Sequence, residues 1–305
     1  MTTQAEQRSL GFIGLGNIGG AICANLVADG HRVTVFDVDP ARVASQVEKG
    51  ATAAASPVEV AAAADWTLLS LPTPAIVETV AREWLAGTGG GAKILVDLST
   101  NAPASVRRLG SVVSAAGAQL VEAPLTGGAI GARMRQLVFI LGGDDDAVAT
   151  VRPLLESVGR ATFHMGPLGN GNVGKLVNSL MAFTTTWVSL EGLALAAKYD
   201  VDLRTLVEMI RTSGASGSYL ERRIEQINER GRDPEFALEL AAKDAGLMVE
   251  AGREGGAPMP VASALVQVLS YAVAQGLGGR DWSDLVEVAE RAAAVELRLP
   301  PAPEG

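Results

Sequence analysis

The chain has 305 residues, of which 48% are hydrophobic, and a formal net charge of −9 at pH 7. This length and apolar content are enough for two domains, each with its own core. The acidic balance and the lack of any basic run argue against nucleic acid as a partner.

The start of the chain predicts a dinucleotide-binding unit. Residues 1–9 are polar and carry no apolar signal segment, so we expect a cytoplasmic protein. An apolar strand from Leu10 leads into a glycine run that opens a helix of small residues: Gly14, Leu15, Gly16, Asn17, Ile18 and Gly19. Its glycines permit a tight turn, close approach to a pyrophosphate and close packing of helix on strand. The helix N-terminus attracts phosphate, so we expect these six residues to bind the cofactor.

The second strand, residues 33–36, ends at Asp37, about twenty residues after the glycine run. A carboxylate there accepts hydrogen bonds from the adenosine ribose and repels a 2′-phosphate. Arg42 is the nearest cation that follows, and we expect it to point to solvent. NAD is therefore the predicted cofactor, in preference to NADP.

Strands and helices alternate as far as residue 165, which predicts a doubly wound, parallel-rich sheet with helices on both faces. Further strands are expected at residues 66–71, 94–98, 119–123, 137–141 and 161–164. Cys23 lies on the first helix among small and apolar residues and is interpreted as a packing residue. The two histidines, His31 in a turn expected to be exposed and His164 at a strand end, are too few and too separated to predict a metal site.

Beyond Gly169 every segment has helical periodicity, so we expect an all-helical second domain. The predicted division is an NAD-binding Rossmann domain at residues 1–166 and a substrate and dimerisation domain at residues 167–305. A long, mostly apolar helix is expected from about residue 170 to 198. Polar residues within it favour a buried helix joining the domains over a membrane span, and no membrane is predicted. Its apolar length favours a homodimer or homotetramer.

Two strand ends carry groups suited to substrate binding. Ser99 follows one strand, at the edge where ligands of doubly wound sheets bind. The next strand runs into a loop whose hydroxyl and backbone amides suit a carboxylate: Thr126, Gly127 and Gly128.

A glycine-rich stretch opens the long helix and places three polar residues on its first turns: Lys175, Asn178 and Ser179. Lys175 is the preferred general acid/base, since burial and the nearby helix N-terminus both disfavour the charged amine and lower its pKa. Oxidation of an alcohol needs a neutral base to take the hydroxyl proton. The alternative is a lysine that reaches solvent at a helix end. His164 is the weaker candidate base.

Together these segments resemble the β-hydroxyacid dehydrogenase family, from Gly11 to about Ala289. The resemblance implies that the glycine run and Asp37 bind NAD, with three residues nearer the nicotinamide: Leu71, Pro72 and Thr100. It implies a substrate loop at residues 126–128, a catalytic lysine at Lys175, and substrate contacts at Asn178 and Ser179. A C-terminal lysine, Lys243, would close over the cofactor, unless it is an exposed helical lysine.

The chain departs from the family pattern at two points. Ser179 stands where many members have an asparagine that contacts substrate. Arg133 and Arg135 precede the strand after the substrate loop, where they either recognise a second anionic group or face solvent.

We therefore expect an NAD-dependent oxidoreductase that interconverts a small 3-hydroxy carboxylic acid and its semialdehyde, with Lys175 as general acid/base. An imine reductase is the nearest alternative, although an uncharged cyclic imine has no use for a carboxylate loop. A non-catalytic dinucleotide-binding protein is the other alternative, which the presence of Lys175 disfavours.

Overall fold

A computed structural model of the protein describes residues 8–213, 215–222 and 224–300. The chain forms two compact units, which divide between Lys175 and Leu176. The domain boundary expected at residues 166–167 stays a prediction.

Six strands form the main sheet: β1 (Ser9–Ile13), β2 (Arg32–Phe36), β3 (Thr52–Ala53), β4 (Trp66–Leu69), β5 (Ile94–Asp97) and β6 (Gln119–Glu122). Their order is β3-β2-β1-β4-β5-β6, and every neighbouring pair is parallel. All six carboxyl ends therefore lie at one edge, with the switch point of the topology between β1 and β4. The predicted doubly wound sheet is confirmed.

Five helices connect these strands: α1 (Gly19–Ala28), α2 (Pro40–Val47), α3 (Pro57–Ala63), α4 (Pro74–Leu85) and α5 (Pro103–Ala115). All but α1 begin at a proline, whose fixed φ and missing N–H suit the first helical turn. Asp39, Ser56 and Thr73 cap α2, α3 and α4 by accepting hydrogen bonds from backbone N–H groups. The local sequence thus determines where these helices begin.

The core lies on both faces of the main sheet, because successive residues of β1 point to opposite sides. Phe12 packs in one buried cluster with Ile22 of α1. Ile13 packs in the other with Val60 of α3 and Trp84 of α4. Helices therefore cover both faces, as predicted.

Two of the residues singled out from the sequence lie in this packed region. Cys23 is fully buried, and burial raises the pKa of its thiol to about 12, which confirms its packing role. His31 is also buried, so the expectation of an exposed turn residue is wrong. Its Nδ1 accepts a hydrogen bond from the backbone N–H of Arg8, and burial lowers its pKa.

A second, three-stranded sheet follows, with two helices: β7 (Leu125–Thr126), α6 (Gly128–Arg133), β8 (Leu137–Leu141), α7 (Asp145–Ser157) and β9 (Gly159–His164). β7 runs antiparallel to β8, and β8 runs parallel to β9. The sequence placed the last two strands in a single parallel-rich sheet, which is wrong. Pro124 interrupts the main sheet after β6, because proline has no N–H for a strand ladder, and the chain turns to pair elsewhere.

The rest of the described chain is helical: α8 (Asn170–Lys198), α9 (Leu203–Thr212), α10 (Ser218–Arg222), α11 (Leu238–Gly255), α12 (Pro260–Ala272) and α13 (Val286–Ala293), with short 3₁₀ or π turns at Ile224–Asn228, Val273–Leu277 and Trp282–Leu285. Among the residues described beyond Gly169, strand-like pairing is limited to one isolated bridge, between Ala237 and Asp281. The predicted all-helical C-terminal region is confirmed.

Helix α8 is not the buried helix that its composition predicted. Only 28% of its most apolar window is buried in this chain. Met181, Val188 and Leu195 repeat every seven residues and are 66%, 59% and 63% exposed, so they form an apolar stripe. By length and composition α8 and the segment Pro260–Leu277 are both apolar enough to cross a membrane, a test that helices of soluble proteins also pass.

Candidate active site

The loop between β1 and α1 has the geometry that a dinucleotide requires. Gly14 has φ +92°, and a side chain there would overlap the carbonyl group of Ser70. A side chain at Gly19 would overlap the carbonyl oxygen of Gly14, so α1 packs directly on the strand end. At Gly16 the nearest atom to an added Cβ is 3.9 Å away, on Arg42. No close protein contact requires glycine at position 16, which leaves a cradle that a side chain would fill and a cofactor phosphate fits.

Asp37 lies against this loop from the end of β2. Its side chain is 5% exposed, and its two oxygens accept hydrogen bonds from the backbone N–H groups of Leu15 (2.6 Å) and Asp39 (2.8 Å). A carboxylate offers about four acceptor positions, so capacity for ribose hydroxyls remains. Arg42 is half-exposed, but its Nη1 lies 3.8 Å from Asp37 Oδ2. Arg42 is thus exposed to solvent, as expected, and it also lies beside this carboxylate.

The two arginines that follow the substrate loop have different surroundings. Arg133 is exposed and lines a groove of about 420 Å³ beside α1, together with Arg42. Arg135 instead makes a two-point ion pair with Asp29, at 2.7 and 2.8 Å, and donates to backbone carbonyl groups of two neighbouring segments. Arg135 thus clamps the turn after α6 to the end of α1, and neither role proposed for it from the sequence is correct.

The residues after β4 and β5 meet at the carboxyl edge of the main sheet. Ser99 is buried, and its Oγ accepts a hydrogen bond from the backbone N–H of Leu71 at 3.0 Å. The next residues, Pro72 and Thr100, are exposed and half-buried respectively. The Ser99 hydroxyl therefore joins the two loops expected to hold cofactor and substrate, and the ligand contacts of all four residues stay predictions.

The predicted substrate loop turns sharply. Thr126 ends β7 and is half-buried, and it is followed by two glycines in the left-handed region, Gly127 at φ +126° and Gly128 at φ +65°. A Cβ at Gly127 would lie 3.2 Å from Leu137, whereas one at Gly128 would meet nothing within 4 Å. The side of the loop at Gly128 is therefore open, and successive backbone amides in such turns bind anions.

Helix α8 carries three of the predicted residues within about one turn of one another. Lys175 is half-buried, Asn178 is exposed and Ser179 is buried. In the second unit Lys243 lies on α11, with its Nζ 3.0 Å from Oδ1 of the buried Asp244. With 22% of its side chain exposed, Lys243 is not the exposed helical lysine of the alternative interpretation.

A buried carboxylate holds the start of α8. Glu122, the last residue of β6, is fully buried. Its Oε1 accepts hydrogen bonds from the backbone N–H groups of Gly169 and Gly171, the latter at 3.0 Å. Its Oε2 accepts from the backbone N–H (3.1 Å) and the Nδ2 (2.6 Å) of Asn172. One side chain thus satisfies three backbone donors and one amide around the first turn of the helix.

The network continues to the neighbouring strand. Asn172 Oδ1 accepts a hydrogen bond from the backbone N–H of Asn101, and Asn101 Nδ2 donates to Asp97 Oδ2, each at 2.7 Å. Sequence reasoning gave no role to these residues or to Glu122. The available signal was a pair of acids, Asp97 and Glu122, each one residue before the end of a predicted strand.

Burial raises the pKa of both carboxyl groups. For Asp97 it does so to about 6, with the charge of Glu122 adding to the effect and hydrogen bonds from Ser99 and Asn101 opposing it. For Glu122 burial also outweighs the donors from Asn172 and the glycine backbone. Two acids that resist ionisation therefore lie at the ends of β5 and β6.

His164 is anchored to backbone. Its Nε2 lies 2.9 Å from the carbonyl oxygen of Gly166 and 3.2 Å from that of Gly143, so this nitrogen carries a proton that it donates. Its Nδ1 faces Asp145 at 3.5 Å. This arrangement favours a structural role over that of a base. Within the described part of the chain, no group of three or more His, Cys, Asp or Glu residues is placed to hold a metal ion.

Two family models match the chain. Residues 9–166 match the NAD binding domain of 6-phosphogluconate dehydrogenase. Residues 169–289 match the NAD-binding region of NADP-dependent 3-hydroxyisobutyrate dehydrogenase.

Individual relatives extend over nearly the whole chain. The 2-(hydroxymethyl)glutarate dehydrogenase of Eubacterium barkeri is 33% identical, with 94% of this chain and 97% of that protein covered. The NAD-dependent L-serine dehydrogenase of Pseudomonas aeruginosa is 32% identical, with 90% and 96% covered. The 3-hydroxyisobutyrate dehydrogenase of Mycobacterium tuberculosis, solved with L-serine, superposes with a TM-score of 0.86 at 26% identity, over 92% and 99% of the two chains.

Imine reductases share the fold at greater distance. That of Myxococcus stipitatus superposes with a TM-score of 0.64 at 18% identity, over 93% of this chain and 99% of that one, which shows a common fold alone. The chain therefore belongs to the β-hydroxyacid dehydrogenase family and is an NAD-dependent oxidoreductase.

Proposed function

We propose that this protein interconverts small 3-hydroxy carboxylic acids and their semialdehydes, with Lys175 as the general acid/base. The observation that carries the proposal is the half-buried Lys175 on α8, one turn beyond a helix start that a buried carboxylate holds. A base must be oriented as well as unprotonated, and this helix start provides the orientation.

The residues of the first unit fit NAD. Gly14, Gly16 and Gly19 would receive the phosphates at the N-terminus of α1, and Asp37 would accept the hydroxyl groups of the adenosine ribose. Leu71, Pro72 and Thr100 would lie toward the nicotinamide, with Lys243 closing over it. Bound NAD supplies the hydride acceptor for oxidation, and its reduced form supplies the donor for reduction.

Lys175 moves the proton. In the oxidation, its neutral Nζ takes the proton of the substrate hydroxyl while the carbon that bears this hydroxyl is oxidised. In the reduction, the ammonium form returns a proton to the carbonyl oxygen. Oxidation requires the neutral amine and reduction requires the ammonium form, so the residue at this position must be able to gain and lose a proton.

The substrate carboxylate would bind at the loop formed by Thr126, Gly127 and Gly128, whose open side is at Gly128. Ser99, Asn178 and Ser179 would contribute further contacts. The named substrates of two relatives support this class, because 2-(hydroxymethyl)glutarate and L-serine each carry a primary hydroxyl one carbon from the carbon that bears a carboxylate.

A panel assay tests the proposal against the alternatives. The protein with NAD should form NADH with 3-hydroxy acids and not with the matched alcohols that lack a carboxylate. Turnover of cyclic imines with NADH or NADPH, in the absence of turnover of the acids, would favour an imine reductase. Cofactor binding without turnover of either class would favour a non-catalytic protein.

We also propose a homodimer or homotetramer that works in the cytoplasm and binds no membrane. The apolar stripe of Met181, Val188 and Leu195 supports this, because exposed apolar rows of this kind are covered by partners in stable assemblies. Light scattering of the native protein and of Leu195→Glu tests it, since a charge in a buried interface should lower the mass. Cell fractionation tests the location.

A further inference from the structure

We propose that Glu122 is a positioning residue that holds Lys175 in its working place through the first turn of α8. The inference rests on the acid/base role proposed for Lys175. It extends that role to a residue that comes fifty positions earlier than Asn172 along the chain.

Without Glu122, backbone N–H groups at the start of α8 would lack hydrogen-bond acceptors. The first backbone N–H groups of a helix have no partner within it, and here the carboxylate of Glu122 accepts three N–H groups around the first turn. The Nδ2 of Asn172 adds a fourth hydrogen bond at 2.6 Å. Four donors on one carboxylate determine both the position and the rotation of this turn.

Glycines make the fit close. A Cβ at Gly171 would lie 2.8 Å from the carbonyl oxygen of Ile140 and 3.0 Å from the Cδ of Glu122. A Cβ at Gly142 would overlap the Glu122 carboxylate itself. The carboxylate is therefore enclosed by backbone on two sides, and the helix start has little room to move.

A second anchor ties the same turn to β5. Asn172 Oδ1 accepts a hydrogen bond from the backbone N–H of Asn101, and Nδ2 of Asn101 donates to Asp97 at the carboxyl end of that strand. The first turn of α8 is thus joined to the ends of two adjacent strands. This is the edge that also carries Ser99.

Lys175 follows Asn172 by three residues, a rise of about 4.5 Å along the helix. A helical turn is stiff, so a shift of Asn172 is carried to Lys175 almost unchanged. An acid/base group misplaced by about 1 Å can lose on the order of 100-fold in rate. Glu122 would thus affect turnover without touching the substrate.

Glu122→Gln is the sharpest test. The amide has the shape of the carboxylate, but its NH₂ faces N–H donors and loses about half of the hydrogen bonds. We expect kcat to fall about 10–100-fold, with the Kd of NAD within about twofold of wild type. Glu59→Gln is the matched control, because Glu59 also accepts a backbone N–H at a helix start, at α3, and its kcat should not change.

The test must separate positioning from loss of the fold. Asn172→Ala leaves Glu122 with its three backbone donors, so it remains informative if Glu122→Gln does not fold. Asn172→Ala should also lower kcat, but by a smaller factor than Glu122→Gln. Thermal melts and circular dichroism of each variant establish that the rates refer to folded protein.

A double-mutant comparison decides between direct and indirect action. If Glu122 acts through Lys175, the double variant Glu122→Gln, Lys175→Ala should be as slow as Lys175→Ala alone. Multiplied rate losses, or a native kcat in both Glu122→Gln and Asn172→Ala, would overturn the inference while leaving the role of Lys175 intact. Near-native turnover by Lys175→Ala would instead contradict the proposed function, and this inference with it.

Discussion

Asp97 and Glu122 are register partners at the carboxyl ends of β5 and β6, and both are buried. Their hydrogen bonds run in different directions. Glu122 holds the start of α8, whereas Asp97 accepts from the backbone N–H of Ser99 and from Nδ2 of Asn101. Two like charges side by side in a protein interior disfavour each other's ionisation, which contributes to the raised pKa of Asp97.

The raised pKa of Asp97 predicts a pH dependence of stability. From the ordinary value of 3.8 to about 6, the folded protein keeps a proton that the unfolded chain has lost. The free energy of unfolding therefore falls as pH rises through this window, and the loss is complete above it. A shift from 3.8 to about 6 corresponds to about 3 kcal/mol.

Asp97→Asn should remove this dependence. The new amide oxygen can still accept the hydrogen bond from the backbone N–H of Ser99. Asn101 can rotate its amide group so that its Oδ1, which is buried and has no hydrogen-bond partner among the described residues, accepts from the new NH₂ group. We expect the melting temperature relative to wild type to rise between pH 4 and 7. Asp65→Asn, at an exposed acid before β4, is the control. Parallel stability curves for wild type and Asp97→Asn would contradict the prediction.

Asp37→Ser should weaken NAD binding by roughly 1.5–3 kcal/mol, because a charge-assisted contact with the ribose is lost. The preference for NAD over NADP should narrow, since the carboxylate that repels a 2′-phosphate is gone and Arg42, 3.8 Å from its position, can attract that phosphate. Adding Arg42→Ala should remove that gain. Ratios of kcat/KM for the two cofactors measure the effect, with Asp65→Ser, at an exposed acid outside this loop, as control. A native protein that prefers NADP would show that the Asp37 assignment is wrong.

Lys175→Ala should lower turnover by about 10²–10⁴-fold with little change in NAD affinity. Lys175→Arg should fail almost as badly, because arginine keeps its charge but does not lose its proton at working pH. Single-turnover NADH formation with saturating NAD and substrate measures both. Lys198→Ala, at the other end of α8, is the matched control. Near-native rates for Lys175→Arg would show that the lysine acts only through its positive charge, and that another residue is the base.

The carboxylate loop predicts that 3-hydroxy acids are substrates and that their methyl esters are not, because the ester has no charge for the backbone amides. Gly128→Ala should raise the KM of the acid by placing a methyl group on the open side of the loop. Gly89→Ala is the matched control. Gly89 has φ +62° and Gly128 has φ +65°, and an added Cβ would meet no atom within 4 Å at either position, so both variants carry similar backbone strain. Equal turnover of acid and ester would contradict the assignment of this loop.

The local features of this protein were readable from its sequence. The glycine run, the acid after β2 and the alternation of strands and helices depend on short-range spacing, which predicted the doubly wound sheet and the helical C-terminal region. The family resemblance rests on motifs of the same kind. These features concern residues within about thirty positions of one another, the length of a single strand–helix–strand unit.

What the tertiary structure alone decided depends on which distant segments meet. Predicting the second sheet requires the knowledge that the chain leaves the main sheet after β6. Predicting the exposed stripe of α8 requires the knowledge that no other segment of the described chain covers these residues. The pairing of Arg135 with Asp29 joins residues 106 positions apart. Asp97, Glu122 and Asn172 form one network only because strand register places two acids side by side and brings a later helix start onto them. Sequence periodicity reports which face of an element is apolar, whereas contacts between polar side chains are determined by packing, which no single segment encodes.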